Sequence, residues 1–402
     1  MTSRKRILKA LQHQEPDRVP IDFGGMDSTG ATAPAYRKLK KYLGIPEGDI
    51  KIMTPMGQEV IIDEQVLHAV HADVKRLAIE PVEWKKSTMS NGNPCLVPAK
   101  WEDRLEPDGS RVVVDDEGRI IAKMPKGGHY FDKVYYPLAG CSSVNELDKY
   151  QKYFDTADFP VYLDEDFSSL AKRGKDISEK SDFAIFGLFG AHIFAMGQAL
   201  RGWDQFLIDL INNPLLAEGI MNKLVEVAIE RFDKFNEAVG EYVHVINVND
   251  DLGTQTGPFM SLDLYKKRVK PYHKKLFRYI KEHSKISLFL HSDGSVAEFI
   301  PDLIDCGIDI LNPVQFTARN MDVTYLKKEF GKDLTFWGGG CDTQTTLPLG
   351  TPCAVKHEVL HQLEILAKGG GFVFAQVHNI QEEVPPENVM AMYEAVWEWN
   401  SK

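Results

Sequence analysis

Four side chains in the C-terminal half have the types and spacing to hold a metal ion: His291, Asp293, Cys341 and His378. Imidazole, carboxylate and thiolate donors together suit zinc, and a catalytic zinc keeps one coordination position open for substrate. Such an ion acts as a Lewis acid on a leaving oxygen, or it activates a thiol or alcohol nucleophile. His291-Ser-Asp293 is a weak motif on its own. The plainer reading makes His291 a hydrogen-bonded core residue and Cys341 a small apolar filler. The company these residues keep argues for more. Asn249, Asp250, Asp251 and Gln255 fall in one segment, then Asn312 and Gln315, then Cys341 and Asp342, then His378 and Asn379. Each group follows directly on a short apolar run.

An apolar run that ends in ligand-capable side chains and feeds a helix is the βα unit of an α/β barrel. In that architecture active sites sit at the C-terminal ends of the strands. The run 286–290 is the clearest case, ending in His291, Ser292 and Asp293 and followed by a helical pattern over 295–306. Strand patterns recur at 183–188, 242–248, 308–311, 334–337 and 371–375, with helical patterns near 203–238, 261–283, 322–330, 353–368 and 386–400. Strands alternating with helices predict βαβ units and a parallel sheet. One or two further strands, at Ile21 and at 74–78, bring the total to that of a (β/α)8 TIM barrel. The expected fold is a single barrel domain over 1–402, with an N-terminal helical extension over 3–13. The alternative, an open doubly wound sheet, lacks support because no GxGxxG or P-loop spacing stands at any strand–helix junction. Residues 95–138 differ in texture. Asp108-Gly109 and Glu117-Gly118 are hairpin turn signals and mark a small antiparallel β-hairpin insertion. Packing within that insertion is the plainer reading of its aromatic tail, His129-Tyr130-Phe131, with a site wall as the alternative.

A net charge of −11 argues against a nucleic-acid partner, which requires a basic face. The chain has no apolar run of ~18 residues, so no membrane span is expected. Its N-terminus lacks the apolar core of a signal peptide, and a cytoplasmic protein is expected. The 5 cysteines are scattered without a CxxC, so a disulfide framework is not expected. Of the adjacent pair Asp250 and Asp251, at most one points into the site, as an acid/base or as a ligand for a substrate hydroxyl or amine. Helix capping is the alternative for either.

Several segments resemble a known family. Arg4-Lys-Arg-Ile-Leu-Lys-Ala-Leu11, Pro16-Asp-Arg-Val-Pro20, His291-Ser-Asp-Gly-Ser295, Asp309-Ile-Leu-Asn-Pro-Val-Gln315, Phe336-Trp-Gly-Gly-Gly340 and Pro385-Pro-Glu-Asn388 are similar to motifs of the uroporphyrinogen decarboxylase superfamily. They look most like its corrinoid-dependent methyltransferase branch, and the resemblance spans essentially the whole chain. It implies a TIM barrel with the site at the C-terminal face. Two departures stand out. Gly24–Gly30 carries no arginine where the decarboxylases have an arginine-rich motif, although Asp73 falls near that family's pyrrole-binding aspartate. The methyltransferase branch usually has His-x-Cys where this chain has His291-Ser-Asp293, with a third ligand near His378. Cys341 on the neighbouring strand end would then be a relocated thiolate.

The resemblance thus implies a zinc-dependent methyltransferase. It would move a methyl group between a small methylated substrate, a methoxylated aromatic or a methylamine-like compound, and a corrinoid (cobalamin) protein. No DxHxxG motif is present, so the corrinoid must ride on another polypeptide. Asp250 or Asp251 and Gln315 would orient the substrate, with Asn249, Gln255, Asn312, Asp342 and Asn379 binding it. The second reading is a decarboxylase of a small carboxylic acid, with Arg37 and Arg201 forming its cationic pocket. A homodimer is one option for the assembly.

Overall fold

In the computed structural model all residues are described except Ser90, Asp116 and Phe159. Seven strands, β1 (Val74–Leu77), β2 (Ala184–Ala191), β3 (Val245–Asn249), β4 (Ser287–His291), β5 (Ile310–Asn312), β6 (Thr335–Trp337) and β7 (Phe372–Val373), form one curled sheet. Neighbours in the sheet are neighbours in sequence and every pair is parallel. A parallel neighbour needs a crossover, and helices such as Pro214–Val239, Lys270–His283, Pro352–Leu366 and Pro386–Asn400 supply it. The eighth position is a single residue. Ile21 bridges in parallel to Phe374, and its carbonyl accepts the Asp73 N–H at 2.7 Å. The α/β barrel expected from the sequence is therefore present, with its first strand reduced to one rung joining the two sheet edges.

The strands alternate between two cores. Inward-facing Val74, Ala184, Phe186, Val245, Phe289, Ile310, Trp337 and Val373 form one buried cluster, which also takes in Ile7 and Ala10 of the helix Ser3–Leu11. Phe186, Phe289 and Trp337 meet edge to face, with ring centroids 5.1, 5.6 and 5.9 Å apart. A barrel filled this way is solid, so chemistry is confined to its ends. Outward-facing residues pack beneath the helices in a second, larger cluster.

The N-terminal helix plugs the bottom of the barrel, and charge holds it there. Arg6 pairs with Asp73 at 2.5 Å and Asp17 at 2.7 Å, and Arg18 pairs with Asp73 at 2.9 Å. Asp73 is completely buried and also accepts the Ile21 N–H at 2.9 Å. The resemblance put Asp73 near a pyrrole-binding aspartate. The structure corrects this: Asp73 immediately precedes β1, at the end of the barrel opposite the mouth.

Two boundaries also differ from expectation. The helical pattern at 203–238 resolves into two helices, Trp203–Asn212 and Pro214–Val239, broken at Pro214, which cannot continue a helix, and a further helix, Phe194–Arg201, precedes it across Gly202 (φ +110°). The antiparallel insertion begins with the hairpin Trp84–Thr88/Pro94–Pro98, earlier than 95, and continues as a four-stranded sheet to Lys133.

Removing the Asp73 carboxylate would leave Arg6 and Arg18 buried without their shared partner. Asp73→Ala is expected to lose about 3–5 kcal/mol of unfolding free energy in urea. Asp17→Ala, at a carboxylate 39% exposed, should lose well under half of that.

Candidate metal centre

Three of the barrel strands end on the residues that matter. His291 is the last residue of β4, in register with Asn249, the last of β3, and with Asn312, the last of β5. The apolar pattern alone places each of these just past a strand. Their inclusion in the ladder fixes their backbones at the mouth.

His291, Asp293 and His378 offer one ligand atom each, and these atoms lie within 4.8 Å of one another. Asp293 Oδ2 is 3.6 Å from His291 Nε2 and 3.5 Å from His378 Nε2. Ligand atoms about 2.0–2.2 Å from a tetrahedral zinc lie about 3.3–3.6 Å apart, so the carboxylate already stands at a coordinating distance from both rings. The group opens outward: the side chains of His291, Asp293 and His378 are 9%, 31% and 38% exposed.

Both rings are oriented by amides. Asn312 Nδ2 donates to the Trp337 carbonyl at 2.8 Å, which turns Asn312 Oδ1 toward His291 Nδ1 at 2.7 Å. Ser28 Oγ lies 3.4 Å from the same nitrogen. His378 Nδ1 meets Asn379 Oδ1 at 2.7 Å, while Asn379 Nδ2 donates to Glu59 Oε1 at 3.3 Å. An amide oxygen at Nδ1 keeps the proton there, so each neutral ring presents its Nε2 lone pair to the centre. The electrostatics fit one cation. Burial lowers the His291 pKa, but the Asp293 carboxylate, with Asp251 behind it, overrides that and pushes it up to about 9. Burial raises the Asp293 pKa, but His291 and His378 more than offset this and hold its carboxyl below the usual range.

The loops after β3 and β4 are locked together. Asp251 Oδ1 accepts the Asp293 N–H at 3.0 Å, and Ser292 Oγ accepts the Leu252 N–H at 3.0 Å. A Cβ on Gly294 (φ +83°) would come within 2.6 Å of the Gly253 carbonyl carbon, so this approach needs glycine. Gln315 Oε1 accepts the Gly294 N–H at 2.7 Å, so Gln315 positions the Asp293 loop.

Other sequence expectations are corrected. Cys341 does not join the group: its thiol is fully buried in the outer core, and burial, with Glu358 nearby, raises its pKa well above the usual value. Asp250 is not free to act as an acid or base. Its carboxylate accepts N–H groups from Ile193, Phe194 and Ala195, at 2.7–3.2 Å, at the start of the helix Phe194–Arg201, and meets His273 Nε2 at 2.8 Å. Helix capping, the plainer reading, holds for it. Asp342 caps a turn, accepting from Gln344, Thr345 and Thr346 N–H groups. Gln255 is exposed, and its carbonyl receives the Arg319 N–H at 2.9 Å. Asn249 is nearly buried and bonded to Asn247 at 3.0 Å. The cationic pocket also fails. Arg201 is committed to Asp209 and to the Leu138 and Ala139 carbonyls, and Arg37 to Glu47.

Several groups reach the mouth from afar: sequence reasoning missed Ser28 and Glu59, and offered Tyr130 as a site wall only as the alternative reading. Ser28 comes from the loop after Ile21. Tyr130, from the insertion, lies 3.4 Å from Asn379 Oδ1 and also contacts Gln381, which makes the aromatic tail a site wall. Glu59 stands beside Asp27, and Asp27 pairs with Arg76. Burial and then Asp27 raise the Glu59 pKa above its ordinary value. No local signal marks Ser28 or Glu59, because their places depend on which loops fold over the barrel.

Over 99% of both chains the fold matches the "methyltransferase from Methanosarcina mazei", with a TM-score of 0.61 at 18% identity. D-psicose 3-epimerase is a far weaker likeness, with a TM-score of 0.32 at 10% identity over 62% of this chain and 84% of that one. No curated protein matches the chain. Among the described residues no helix is long and apolar enough to cross a membrane. The family description "Uroporphyrinogen decarboxylase (URO-D)" matches residues 159–399, the span that carries six of the seven strands, His291, Asp293 and His378. The chain belongs to the uroporphyrinogen decarboxylase family.

Proposed function

We propose that the protein is a methyltransferase that holds zinc through His291, Asp293 and His378 and passes a methyl group between a small methylated substrate and a separate corrinoid protein. The observation that carries this reading is the convergence of two Nε2 atoms and one carboxylate oxygen at the barrel mouth, each ring turned by an amide oxygen. The donor set suits the ion: imidazole and carboxylate are ordinary zinc ligands, and three protein ligands leave a fourth position for substrate. When bound, zinc would polarise the heteroatom that carries the methyl group. One carboxylate and two neutral imidazoles leave a net positive centre, more electrophilic than a site with thiolate ligands. That favours an ether oxygen or an amine nitrogen over a thiol, and hence a methoxylated aromatic or a methylamine-like donor. The fold shared with a methyltransferase supports the reading. The decarboxylase alternative loses the cationic pocket it requires.

Within this scheme the chain's own residues have distinct tasks. Asn312 and Asn379 orient the rings, Gln315 and Asp251 hold the Asp293 loop, and Tyr130 and Ser28 narrow the mouth from two sides. The solid barrel below excludes water from one side of the centre, so substrate and corrinoid partner both approach from the C-terminal face.

Metal analysis of protein purified with supplied zinc is expected to give about one zinc per chain. His291→Ala and His378→Ala should lose it and remain folded, while Cys341→Ala should retain it. A wild-type protein free of metal under these conditions would sink the zinc mechanism.

The His291 pKa sets a pH dependence. Because it is raised from 6.5 to about 9, the imidazolium–Asp293 pair stabilises the metal-free fold fully below pH 6.5, and this is lost as pH rises through about 9. Zinc requires the neutral ring, so its gain in Tm should grow across that window. Scans with and without zinc at pH 6, 7.5 and 9 read this directly, and a constant gain would contradict the assignment of His291 as a ligand.

A further inference from the structure

A third histidine stands at the barrel mouth, outside the metal group. His192 directly follows β2, whose last residue, Ala191, pairs with Val248 of β3. Its Nδ1 lies 2.5 Å from Asp158 Oδ1, and its backbone N–H donates to Asp158 Oδ2 at 3.3 Å. The Asp158 side chain is 8% exposed and that of His192 is 32% exposed. The carboxylate is thus shut away while the ring keeps an open edge. Among the described residues nothing bonds to Nε2. β2 and β4 are two strand spacings apart, so the backbones of His192 and His291 are separated by roughly 10 Å. Asp251, which holds the Asp293 N–H, lies in the loop between them. The ring and the metal group therefore stand at the same end of the barrel, on strands separated by one neighbour.

We propose that His192 is the acid–base catalyst of the methyl transfer, with Asp158 as its positioning residue; this rests on the methyltransferase reading above. As the methyl–heteroatom bond breaks, its electron pair stays on the heteroatom and the methyl goes to the cobalt(I) of the corrinoid partner. The proton on His192 Nε2 passes to the heteroatom, leaving a neutral imidazole whose Nδ1–H still faces Asp158. In the reverse direction the same nitrogen takes the proton back. A buried carboxylate at Nδ1 fixes the tautomer and supports the imidazolium, which is the arrangement a general acid needs.

The charges around His192 agree. Burial lowers its pKa, but Asp158 first, then Asp250 and Asp251 at the end of β3, outweigh this and raise it above the ordinary value. Lys133 and Arg231 also lie within electrostatic reach of Asp158. The shift favours the protonated ring, the form that has a proton to give.

The first test is the ring itself. In histidine NMR of the zinc-loaded protein, the signal lost in His192→Gln should titrate above 6.5 in the wild type and lower in Asp158→Asn. Titration at or below 6.5 in the wild type would overturn the proposal. The second test is methyl transfer to cob(I)alamin from two probes: anisole, whose leaving group needs a proton, and a tetramethylammonium salt, whose leaving amine needs none. His192→Gln should slow anisole by about 100-fold or more, spare the ammonium salt, and keep its zinc. Asp158→Asn should show the same split to a lesser degree. Equal losses with both probes would make His192 a structural tether and overturn the proposal while leaving the methyltransferase reading intact. No transfer from either probe by the wild type would count against that reading and would remove this role with it.

Discussion

Everything at the mouth depends on closing the sheet at Ile21. Seven parallel strands present two raw edges, and a parallel edge buried without partners is costly. One bridge at Ile21 satisfies both: the flanking Asp22 N–H and Pro20 carbonyl bond to Phe374 on the β7 side, and the Ile21 carbonyl accepts the Asp73 N–H on the β1 side. One rung is a weak seam by itself. It is reinforced from below by Asp73, whose carboxylate gathers Arg6, Arg18 and the Ile21 N–H. Closure also sets where the loop beyond Ile21 runs, and that loop carries Asp27 and Ser28 to the opposite end of the barrel. A charge cluster at the bottom and the wall of the metal centre at the top are thus two consequences of the same closure.

The centre is built in layers of decreasing burial. Asn312 is fully buried and its orientation is set by a backbone carbonyl, so it transmits the rigidity of the sheet to His291. Asp293 sits on a loop held by backbone contacts between Gly253 and Gly294, and His378 is the most exposed of the three. A site graded in this way would hold the proposed ion from a rigid base and leave the outer side for ligand exchange. The like arrangement at Nδ1 of both rings has a simple reason: an amide oxygen accepts a proton without competing for the metal, as a second carboxylate would.

The absence of a thiolate shapes the chemistry. Cys341 lies in the outer core and so cannot replace a cysteine missing at position 293. What remains is a donor set with one anionic group, which in the proposed zinc centre would act on substrate by polarising a heteroatom. Asp250 shows the opposite use of a carboxylate. Surrounded by three helix N–H groups and a histidine, it fixes the start of the helix after β2, and with it the loop that carries His192.

The sequence by itself determined the barrel and the identity of its chemical face. A residue just past a parallel strand must emerge at the C-terminal mouth whatever surrounds it, so His291, Asp293, Asn312 and His378 could be located from apolar periodicity. It could not say which way neighbouring side chains turn. Of Asp250 and Asp251, one caps a helix and the other holds the metal loop, and their separation follows from the backbone path after β3. Cys341 had the right address but turned into the core. His192 escaped notice because β2 runs to Ala191, beyond the end of its apolar pattern at 188, and because Asp158 comes from a segment with no periodic signal. Glu59 and Ser28 belong to the same class. Their functions arise from long-range juxtaposition, which local periodicity does not encode and which only the folded chain decided.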